Sequence, residues 1–282
     1  MPGSLYVVST PIGNLDDITL RALQTLKTVG LIAAEDTRRT AILLHHFGIS
    51  TPSTSLHAHN ERQKLESLLQ KLRDGVDIAL VSDAGTPLVA DPGQRLIAGA
   101  VERGIRVVPI PGASAVLSAL TASGFPGDEF VFAGFAPARS NSRKKWLSRF
   151  VDEARPVVFF EAPHRIAKAL DDIAELFGER PILVARELTK LHEQLLRTTA
   201  REAGSALDVH KGEFTIVLGP VPKAALPLED PDEKDVSLYF GRMTSSGALS
   251  RREALADTAR KFGLSTNKVY SIVERLKTSS AP

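Results

Sequence analysis

Short apolar runs alternate along the chain with longer stretches of helical hydrophobic spacing, and this alternation predicts the secondary structure. In the first half, the runs of strand length are Leu5–Val8, Leu31–Ala34, Ile78–Val81 and Ile105–Ile110. Each run ends in small or polar residues, and a segment that favours a helix follows. Successive strand, loop and helix units favour a parallel sheet with right-handed crossovers.

The second half contains similar runs, for which a different pairing is expected. Strands are predicted at Phe130–Phe135, Pro156–Phe160, Pro181–Ala185 and Phe214–Leu218. We expect these strands to pair as hairpins in a mixed sheet. The sequence Ser-Gly-Phe-Pro-Gly at 123–127 is typical of a hinge and separates the two halves.

After the second half, the chain has the composition of a linker and then of helices. Prolines and an acidic run between Pro220 and Asp235 indicate the linker. Beyond it, a helix, a turn at Gly263, a cap at Ser265 and another helix have the order of a helix-turn-helix. Such a unit binds nucleic acid or serves in packing and dimerisation, and the sequence does not decide between these roles. We predict three parts: an N-terminal α/β domain at 1–122, a second α/β domain at 123–222 and a basic helical extension at 233–282.

The end of the predicted strand Ile78–Val81 is the most informative place in the chain. The sequence turns there through Ser82-Asp-Ala-Gly-Thr-Pro87, which are turn formers. In an open parallel sheet, ligands bind at the carboxyl ends of strands. Gly85 allows close approach of the backbone, and Asp83 offers a carboxylate to a ligand. The alternative is a tight connection without a ligand.

The other strand ends have the same character but contain no known phosphate-binding signature. They carry Pro11-Ile-Gly13, the charged run Glu35–Arg39 and Ser114-Ala115. None of them contains Gly-x-Gly-x-x-Gly or Gly-x-x-x-x-Gly-Lys-Ser/Thr, the fingerprints of dinucleotide and phosphate loops. We therefore do not expect a ligand to be held by its phosphates.

Composition restricts the class of protein. The chain has 282 residues, of which 43% are hydrophobic and 24% charged, as in ordinary globular proteins. It contains no cysteine, which excludes disulfides, thiolate metal sites and cysteine nucleophiles. No apolar run approaches the roughly 20 residues that span a bilayer. We expect a cytoplasmic protein with no membrane association.

Basic residues are concentrated in two places. Residues 233–282 contain nine Lys/Arg and five Asp/Glu, a local charge of +4, whereas the whole chain carries only +2. The segment 139–149 contains five basic residues, no acidic residue and Trp146. A basic segment with an aromatic side chain suits nucleic acid, with phosphate contacts from Arg139, Arg143, Lys144 and Lys145. The alternative for Trp146 is packing of a helix.

Two histidines raise the question of a metal. His57 and His59 lie at i and i+2 on a segment expected to be extended, so their side chains would point the same way. No third ligand follows at a fixed spacing, and we predict no metal site. Hydrogen bonding to a substrate or a neighbouring loop is the favoured interpretation.

Eight motifs occur in an order that matches a known family. Together they resemble the bacterial enzymes that methylate a cytidine 2′-hydroxyl of small-subunit ribosomal RNA, within the wider tetrapyrrole methylase fold family. The similarity runs from about Leu5 to Leu218, and the helical tail is also similar. One departure is Arg197-Thr-Thr199, where the family usually has Arg-Gly-Thr. The motifs are Thr10–Asn14, Ala34–Arg38, His57–Glu61, Ser82–Pro87, Pro111–Ala115, Glu161–Arg165, Arg186–Lys190 and Lys211–Phe214.

This resemblance implies a fold, a cofactor and an assembly. The fold class is α/β, with two α/β domains of tetrapyrrole-methylase type, a parallel-sheet N-terminal domain and a mixed-sheet C-terminal domain, followed by a helical extension. S-adenosylmethionine would fold into the cleft between the two domains, and the protein would be a homodimer. The cofactor contacts that the resemblance implies are Pro11, Asp83, Ala84, Gly85, Thr86, Pro87, Ser114, Ala115, Ala162, Glu213 and Phe214.

The implied reaction is an in-line displacement at a sulfonium methyl by a ribose hydroxyl. Alignment supplies most of the acceleration, and a general base can add to it. The candidates are Glu187 or Lys190, the amine only if burial lowers its pKa, and then His59 and Glu61. Three arginines would hold RNA phosphates, or alternatively form an ion-pair network between the domains: Arg38, Arg165 and Arg186.

Three functions fit these observations. The first is methylation of small-subunit ribosomal RNA, either free or in the assembled subunit. The two basic regions favour this function. The second is a tetrapyrrole C-methylase, which shares the cofactor cleft but needs neither basic region. The third is an RNA-binding ribosome-assembly factor without catalytic turnover.

Overall fold

The computed structural model describes residues 1–221, 232–245, 250–262 and 264–278. The chain divides into two compact units, Met1–Val221 and Pro222–Pro282. The first unit contains two five-stranded sheets. Among the described residues, no helix combines the length and apolar character that crossing a bilayer requires.

The first sheet is parallel throughout, as predicted. Its strand order is β3-β2-β4-β1-β5, and every neighbouring pair runs parallel. The order places β1 and β4 in the interior of the sheet. The strands are β1 (Leu5–Val8), β2 (Leu31–Ala34), β3 (Ser53–Ser55), β4 (Ile78–Val81) and β5 (Val107–Ile110), and the helices that connect or follow them are α1 (Leu20–Thr28), α2 (Thr37–His46), α3 (Glu61–Arg73), α4 (Gln94–Glu102) and α5 (Ala115–Ser123).

Two hydrophobic clusters explain why this sheet is parallel. One cluster joins Val8, Ala34 and Val81 to the inner faces of α1 and α2. The other joins Leu5 and Ile78 to the inner faces of α3 and α4. Because helices cover both faces, the strands are apolar on both sides, as parallel strands require. All the carboxyl ends of the strands therefore meet at one edge of the sheet.

The second sheet is mixed, again as predicted. Its order is β6-β7-β10-β8-β9; β6 and β7 are parallel, and the other neighbours are antiparallel. The edge strand β9 is absent from the sequence prediction because its residues are only partly buried and carry a polar pattern. The strands are β6 (Val131–Phe135), β7 (Val157–Glu161), β8 (Pro181–Arg186), β9 (Gln194–Thr199) and β10 (Phe214–Leu218), and the helices are α6 (Ser140–Leu147), α7 (Ile166–Phe177) and α8 (Ala203–Ala206).

The second unit contains the predicted helical extension. Its helices are α9 (Glu233–Ser245), α10 (Arg251–Phe262) and α11 (Thr266–Thr278). They pack around a core of their own that includes Val236, Phe240, Ala254, Val269 and Ile272. The predicted turn at Gly263 and most of the predicted linker lie outside the described residues. The predicted domain bounds at 122 and 222 stay predictions.

Candidate active site

A cavity of about 370 Å³ lies where the ends of strands from both sheets meet. The first sheet contributes the loops that follow β1, β2, β4 and β5, and the second sheet contributes the ends of β6 and β7 and the start of β10. This volume is within the usual range for small-molecule sites. The residues that line it include Ile12, Glu35, Arg39, Asp83, Ala84, Gly85, Thr86, Asp91, Ser114, Ala115, Val116, Phe135, Phe160, Glu161, Ala162, Pro163, Glu213, Phe214 and Thr215.

The loop after β4 is held rigidly against the loop after β1. Thr10 and Gly85 exchange two backbone hydrogen bonds of 2.8 and 2.9 Å, and the hydroxyls of Ser9 and Thr86 lie 2.9 Å apart. Further along this loop, Leu88 and Ala90 have φ of 75° and 68°. Non-glycine residues adopt this conformation at a cost of about 1–3 kcal/mol, and such strain clusters at functional sites.

Three carboxylates form the wall of the cavity that belongs to the first sheet. The Asp83 carboxylate accepts the backbone N–H of Asp36 at 3.0 Å, and Arg39 lies 3.4 Å from its other oxygen. Burial raises the pKa of Glu35, and the neighbouring negative charge of Asp83 adds to this effect. The hydrogen bond from the backbone N–H of Asp83 lowers the pKa but does not outweigh burial. Burial likewise raises the pKa of Asp91 to about 6, and Glu35 and Asp83 add to the shift. This wall is therefore acidic and suits a cationic ligand.

The Asp91→Asn variant is expected to be more stable than the parent protein above pH 6. Since the pKa of the folded state exceeds the ordinary 3.8, stability is lost as pH rises from about 4 through about 6. Asparagine removes that loss, and we expect a gain of about 1 kcal/mol near pH 8 after allowance for solvent screening. Urea unfolding at several pH values measures it. A gain that persists below about pH 4 would contradict this explanation.

The opposite wall is formed by the second sheet and is largely apolar. Phe135 and Phe160 contact each other with ring centroids 5.3 Å apart. Glu161, the last residue of β7, is buried, and its Oε1 accepts the backbone N–H of Ala162 and the side chain of Arg165, both at 2.7 Å. Oε2 of Glu161 is buried without a hydrogen-bond partner.

An ion-pair network that includes the cavity residue Glu213 brings together the predicted catalytic residues Glu187 and Lys190. Lys190 Nζ lies 2.8 Å from Glu187 Oε1 and 3.1 Å from Glu213 Oε2, and Glu187 Oε1 also accepts the backbone N–H of Glu213. Burial alone would raise the pKa of Glu187, but the hydrogen bond from Lys190 and the backbone N–H outweigh it and lower the pKa. Burial opposes the charge of Lys190, yet the two carboxylates raise its pKa. Lys190 is therefore a cation, which argues against the neutral-amine base.

Gly13 belongs to the loop that follows β1 and lies where this loop contacts the segment that carries Lys190. A Cβ added at Gly13 would lie 2.4 Å from Lys190 Cγ and 2.9 Å from the backbone oxygen of Leu188. Only glycine fits this approach without displacement of the loop. The two halves of the site are thus brought together by a residue without a side chain.

We expect Gly13→Ala to destabilise the protein by about 1–3 kcal/mol, because overpacking displaces the backbone of Leu188. Equilibrium urea unfolding measures the change. Gly127→Ala is the matched control, since an added Cβ at Gly127 meets nothing within 4 Å. Equal unfolding midpoints for the two variants would show that the loop accommodates the added methyl group.

The structure places most of the predicted cofactor residues on the cavity. Pro11 and Pro87 are the exceptions: they belong to the turns behind the lining, and Ile12 takes the place of Pro11 on the wall. The assignment of these residues to the cofactor stays a prediction. On the cavity lie Asp83, Ala84, Gly85, Thr86, Ser114, Ala115, Ala162, Glu213 and Phe214.

The two remaining candidate bases occupy less suitable positions. Glu61 is buried, and its Oε1 accepts the backbone N–H groups of Arg95 and Leu96 at 2.8 and 3.3 Å. This is the position of a cap for α4 and favours a structural role. His59 is exposed, and its ring centroid lies 6.0 Å from that of His57. Among the described residues, no three or more potential ligands are grouped to hold a metal ion.

The basic segment around α6 requires a correction. Arg143 is 1% exposed, and its Nη2 lies 2.6 Å from Asp172 Oδ2. It therefore cannot contact RNA phosphates. Trp146 packs edge-on against Phe150 and Phe159, so the alternative of helix packing is correct for this residue. Lys144 pairs with Glu175.

The other predicted RNA contacts are exposed to different degrees. Arg139 and Lys145 are exposed. Arg38 is also exposed, but it forms an ion pair with Asp36 at 2.7 Å. Arg165 forms an ion pair with Glu161, and Arg186 donates hydrogen bonds to the backbone oxygens of Lys211 and His192. Arg139 and Lys145 are thus the strongest remaining candidates, and these RNA contacts stay predictions.

Sequence reasoning missed several residues of the cavity. Glu35 and Arg39 were noted as charges at a strand end but were not assigned to the site. Glu161 was not selected as a site residue, although it begins a motif at a strand end, and Asp91 lies four residues beyond the turn Ser82–Pro87 on which the prediction rests. Phe135 was considered only as part of a strand. The signal for all of them is their position after a strand, which is informative only when the two sheets are known to face each other.

Comparison with known proteins agrees with this fold. The family model described as Tetrapyrrole (Corrin/Porphyrin) Methylases matches residues 4–204. A protein of Synechocystis sp. named Ribosomal RNA small subunit methyltransferase I is 44% identical, with 96% of this chain and 97% of that protein covered. A protein of the same name from Haemophilus influenzae is 43% identical, with 96% of each chain covered.

Solved structures show the same fold. The uroporphyrin-III C-methyltransferase of Thermus thermophilus, complexed with S-adenyl homocysteine, superposes with a TM-score of 0.55 at 18% identity and covers 78% of this chain and 98% of its own. The chain therefore belongs to the tetrapyrrole methylase family, and within it to the group of ribosomal RNA small subunit methyltransferase I. The predicted membership of the tetrapyrrole methylase family and of its small-subunit ribosomal RNA methyltransferases is confirmed, as is S-adenosylmethionine as the cofactor.

The residues of the cavity fit this cofactor. Its acidic wall suits a sulfonium and an ammonium group, and its aromatic wall suits a purine ring. Helix α5 begins at the cavity, with Ser114 as its cap and Ala115 and Val116 in its first turn. The free N–H groups of a helix N-terminus suit a carboxylate.

Proposed function

We propose that the protein transfers a methyl group to the ribose 2′-hydroxyl of a cytidine in small-subunit ribosomal RNA. The observation that carries the proposal is the ion-pair network that connects Glu187 and Lys190 to the cavity residue Glu213. The chain also aligns over nearly the full length of relatives that are named small-subunit ribosomal RNA methyltransferases.

The chemistry divides between cofactor and protein. S-adenosylmethionine supplies a methyl group that is already activated by a positive charge. The protein therefore needs mainly to align the acceptor, which can contribute about 7–11 kcal/mol. The Asp83–Thr86 turn and the start of α5 would hold the cofactor, and the loops of the second sheet would face the acceptor.

Within this proposal, Glu187 accepts the proton of the hydroxyl. Its lowered pKa keeps the carboxylate ionised at neutral pH, and Lys190 and the N–H of Glu213 fix its position. Lys190, as a cation, stabilises negative charge that develops near the carboxylate. Exposed Arg139 and Lys145 would contact the RNA backbone, and such contacts weaken with salt.

The acceptor is tested with methyl-tritiated cofactor. Purified small-subunit RNA, assembled small subunits and a porphyrinoid are offered separately, and labelled RNA is digested to nucleosides. Label in 2′-O-methylcytidine is the expected result. Label in a base, or in the porphyrinoid, would overturn the proposal, and RNA binding without any transfer would indicate an assembly factor.

The predicted homodimer is part of this proposal. The exposed apolar side chains Leu117, Phe135 and Leu191, which are 52%, 54% and 93% exposed, offer surface for a second copy. Analytical ultracentrifugation of the purified protein measures the assembly, and a single species with the mass of one chain would contradict the dimer.

A further inference from the structure

Phe135 is an aromatic residue at the rim of the cavity. It is the last residue of β6 and lines the cavity, yet it is 54% exposed. The other two phenylalanines of the lining are less accessible, since Phe160 is partly buried and Phe214 is buried. Single exposed apolar side chains are common on proteins, so exposure alone identifies no partner for Phe135. Its position in the sheet is more informative.

A β-bulge brings the side chain of Phe135 to the face of the sheet that borders the cavity. Phe132 pairs with Val158 of the neighbouring strand. Phe135 pairs with Phe160, so β6 has one residue more than β7 between the two pairs. In a regular strand, side chains three positions apart point to opposite faces, and the extra residue instead places Phe132 and Phe135 on the same face. Gly134 provides the left-handed conformation of the bulge, with φ of 71°. Bulges that redirect a side chain are typical of positions next to active sites.

The ring of Phe135 is supported by its neighbours before any ligand binds. The ring centroid of Phe160 lies 5.2 Å from that of Phe132 and 5.3 Å from that of Phe135. A side chain that is already positioned loses little conformational freedom on binding. An exposed aromatic ring of this kind suits stacking on a nucleic-acid base, because every base has a π-face.

Exposed cations follow Phe135 along the chain. The short segment Ala136–Ala138 connects Phe135 to Arg139, which directly precedes α6, and Lys145 lies within α6. Arg139 and Lys145 are both exposed. Single-stranded nucleic acid is bound by aromatic side chains for its bases together with cations for its phosphates. The chain after β6 offers both kinds of group beside the cavity.

We propose that Phe135 stacks on a base of the acceptor RNA and holds the strand at the mouth of the cavity, with Arg139 at the adjoining phosphate. This inference rests on the proposed function, because it assigns the rim of the same site to the RNA. The cofactor lies further inside, against the acidic wall and the start of α5. Loss of the Phe135 ring therefore weakens binding of the acceptor and leaves binding of the cofactor unchanged.

The first experiment compares Phe135→Leu with the parent protein in steady-state transfer of tritiated methyl. The acceptor is small-subunit RNA, in the free or assembled form that the parent protein methylates. We expect KM for this acceptor to rise about 5- to 30-fold, because leucine retains only part of the stacking contact. The value of kcat should stay close to that of the parent protein, as for a residue that only binds substrate. Isothermal titration with S-adenosylhomocysteine should give an unchanged affinity.

Phe135→Trp provides a spectroscopic test of the same contact. The single tryptophan of the chain, Trp146, packs against Phe150 and Phe159, and the parent protein therefore supplies the background signal. A stacked base quenches indole fluorescence, so small-subunit RNA should quench Phe135→Trp more strongly than the parent protein. S-adenosylhomocysteine should not cause this additional quenching. The variant should keep a KM close to that of the parent protein, because indole also stacks on a base.

The control is Leu20→Ala, which removes an exposed apolar side chain of α1 outside the cavity lining. Equal KM values for Phe135→Leu and Leu20→Ala would refute the proposal. A loss of affinity for S-adenosylhomocysteine in Phe135→Leu would assign the ring to the cofactor, and a lighter species in sedimentation would assign it to a second copy of the chain; either result overturns the proposal. If the parent protein labels no RNA although RNA quenches Phe135→Trp, the proposed function fails while the stacking role stands.

Discussion

Glu187→Gln is expected to reduce the rate of methyl transfer about 10²–10⁴-fold, the usual contribution of a general base. Glutamine keeps an oxygen for the hydrogen bonds from Lys190 and from the N–H of Glu213, so the loop is expected to retain its shape. The change removes the negative charge that would accept the hydroxyl proton. Single-turnover transfer of tritiated methyl to small subunits measures the rate.

The matched control for this variant is Glu193→Gln. Glu193 is an exposed carboxylate on the same loop, and its Oε2 accepts the backbone N–H of Thr189 at 2.7 Å. Glutamine can keep that hydrogen bond, so activity should stay close to that of the parent protein. A Glu187→Gln variant as active as this control would show that alignment alone drives the reaction.

Asp172→Ala is expected to destabilise the protein by about 3–5 kcal/mol, because it leaves the buried charge of Arg143 without its carboxylate and with backbone oxygens as its remaining acceptors. Asp172 Oδ2 lies 2.8 Å from Nε and 2.6 Å from Nη2 of Arg143, and Oδ1 accepts the hydroxyl of Ser140. The pair joins α6 to α7 inside the second α/β region. Chemical denaturation measures the loss.

Glu175→Ala is the comparison for an exposed pair. Glu175 pairs with Lys144 on the same two helices, but its side chain is 60% exposed. Exposed ion pairs contribute only about 0–1 kcal/mol. If Asp172→Ala costs no more than Glu175→Ala, the buried pair does not stabilise the helices in the way proposed.

The sequence predicted both sheets and part of the cavity wall, but not the edge strands β3 and β9. Apolar runs such as Ile78–Val81 are buried on both faces, which only a covered parallel sheet allows, and their polar ends necessarily meet at one edge. The positions of Asp83 and Ser114 at this edge therefore follow from the sequence alone. Strand β9 could not be predicted, because its partly exposed, polar pattern does not differ from that of a loop.

The side chains that sequence reasoning misplaced share a physical cause. Arg143 looks like a surface cation, and only the presence of Asp172, 29 residues later, makes its burial favourable. The charge of Lys190 is likewise decided by Glu187 and Glu213, and Glu213 is remote in sequence. A local pattern cannot report such partners, since they become neighbours only after folding.

Strand β9 forms an outer edge of the second sheet, and its composition has a consequence for solubility. An open edge offers backbone groups to which a strand from another molecule could pair. Arg197 lies in the middle of this edge, is exposed, and donates through its guanidinium to the backbone oxygen of Ala122. A strand approaching from another molecule would have to displace or bury this cation. The edge is thereby guarded against uncontrolled strand-to-strand aggregation.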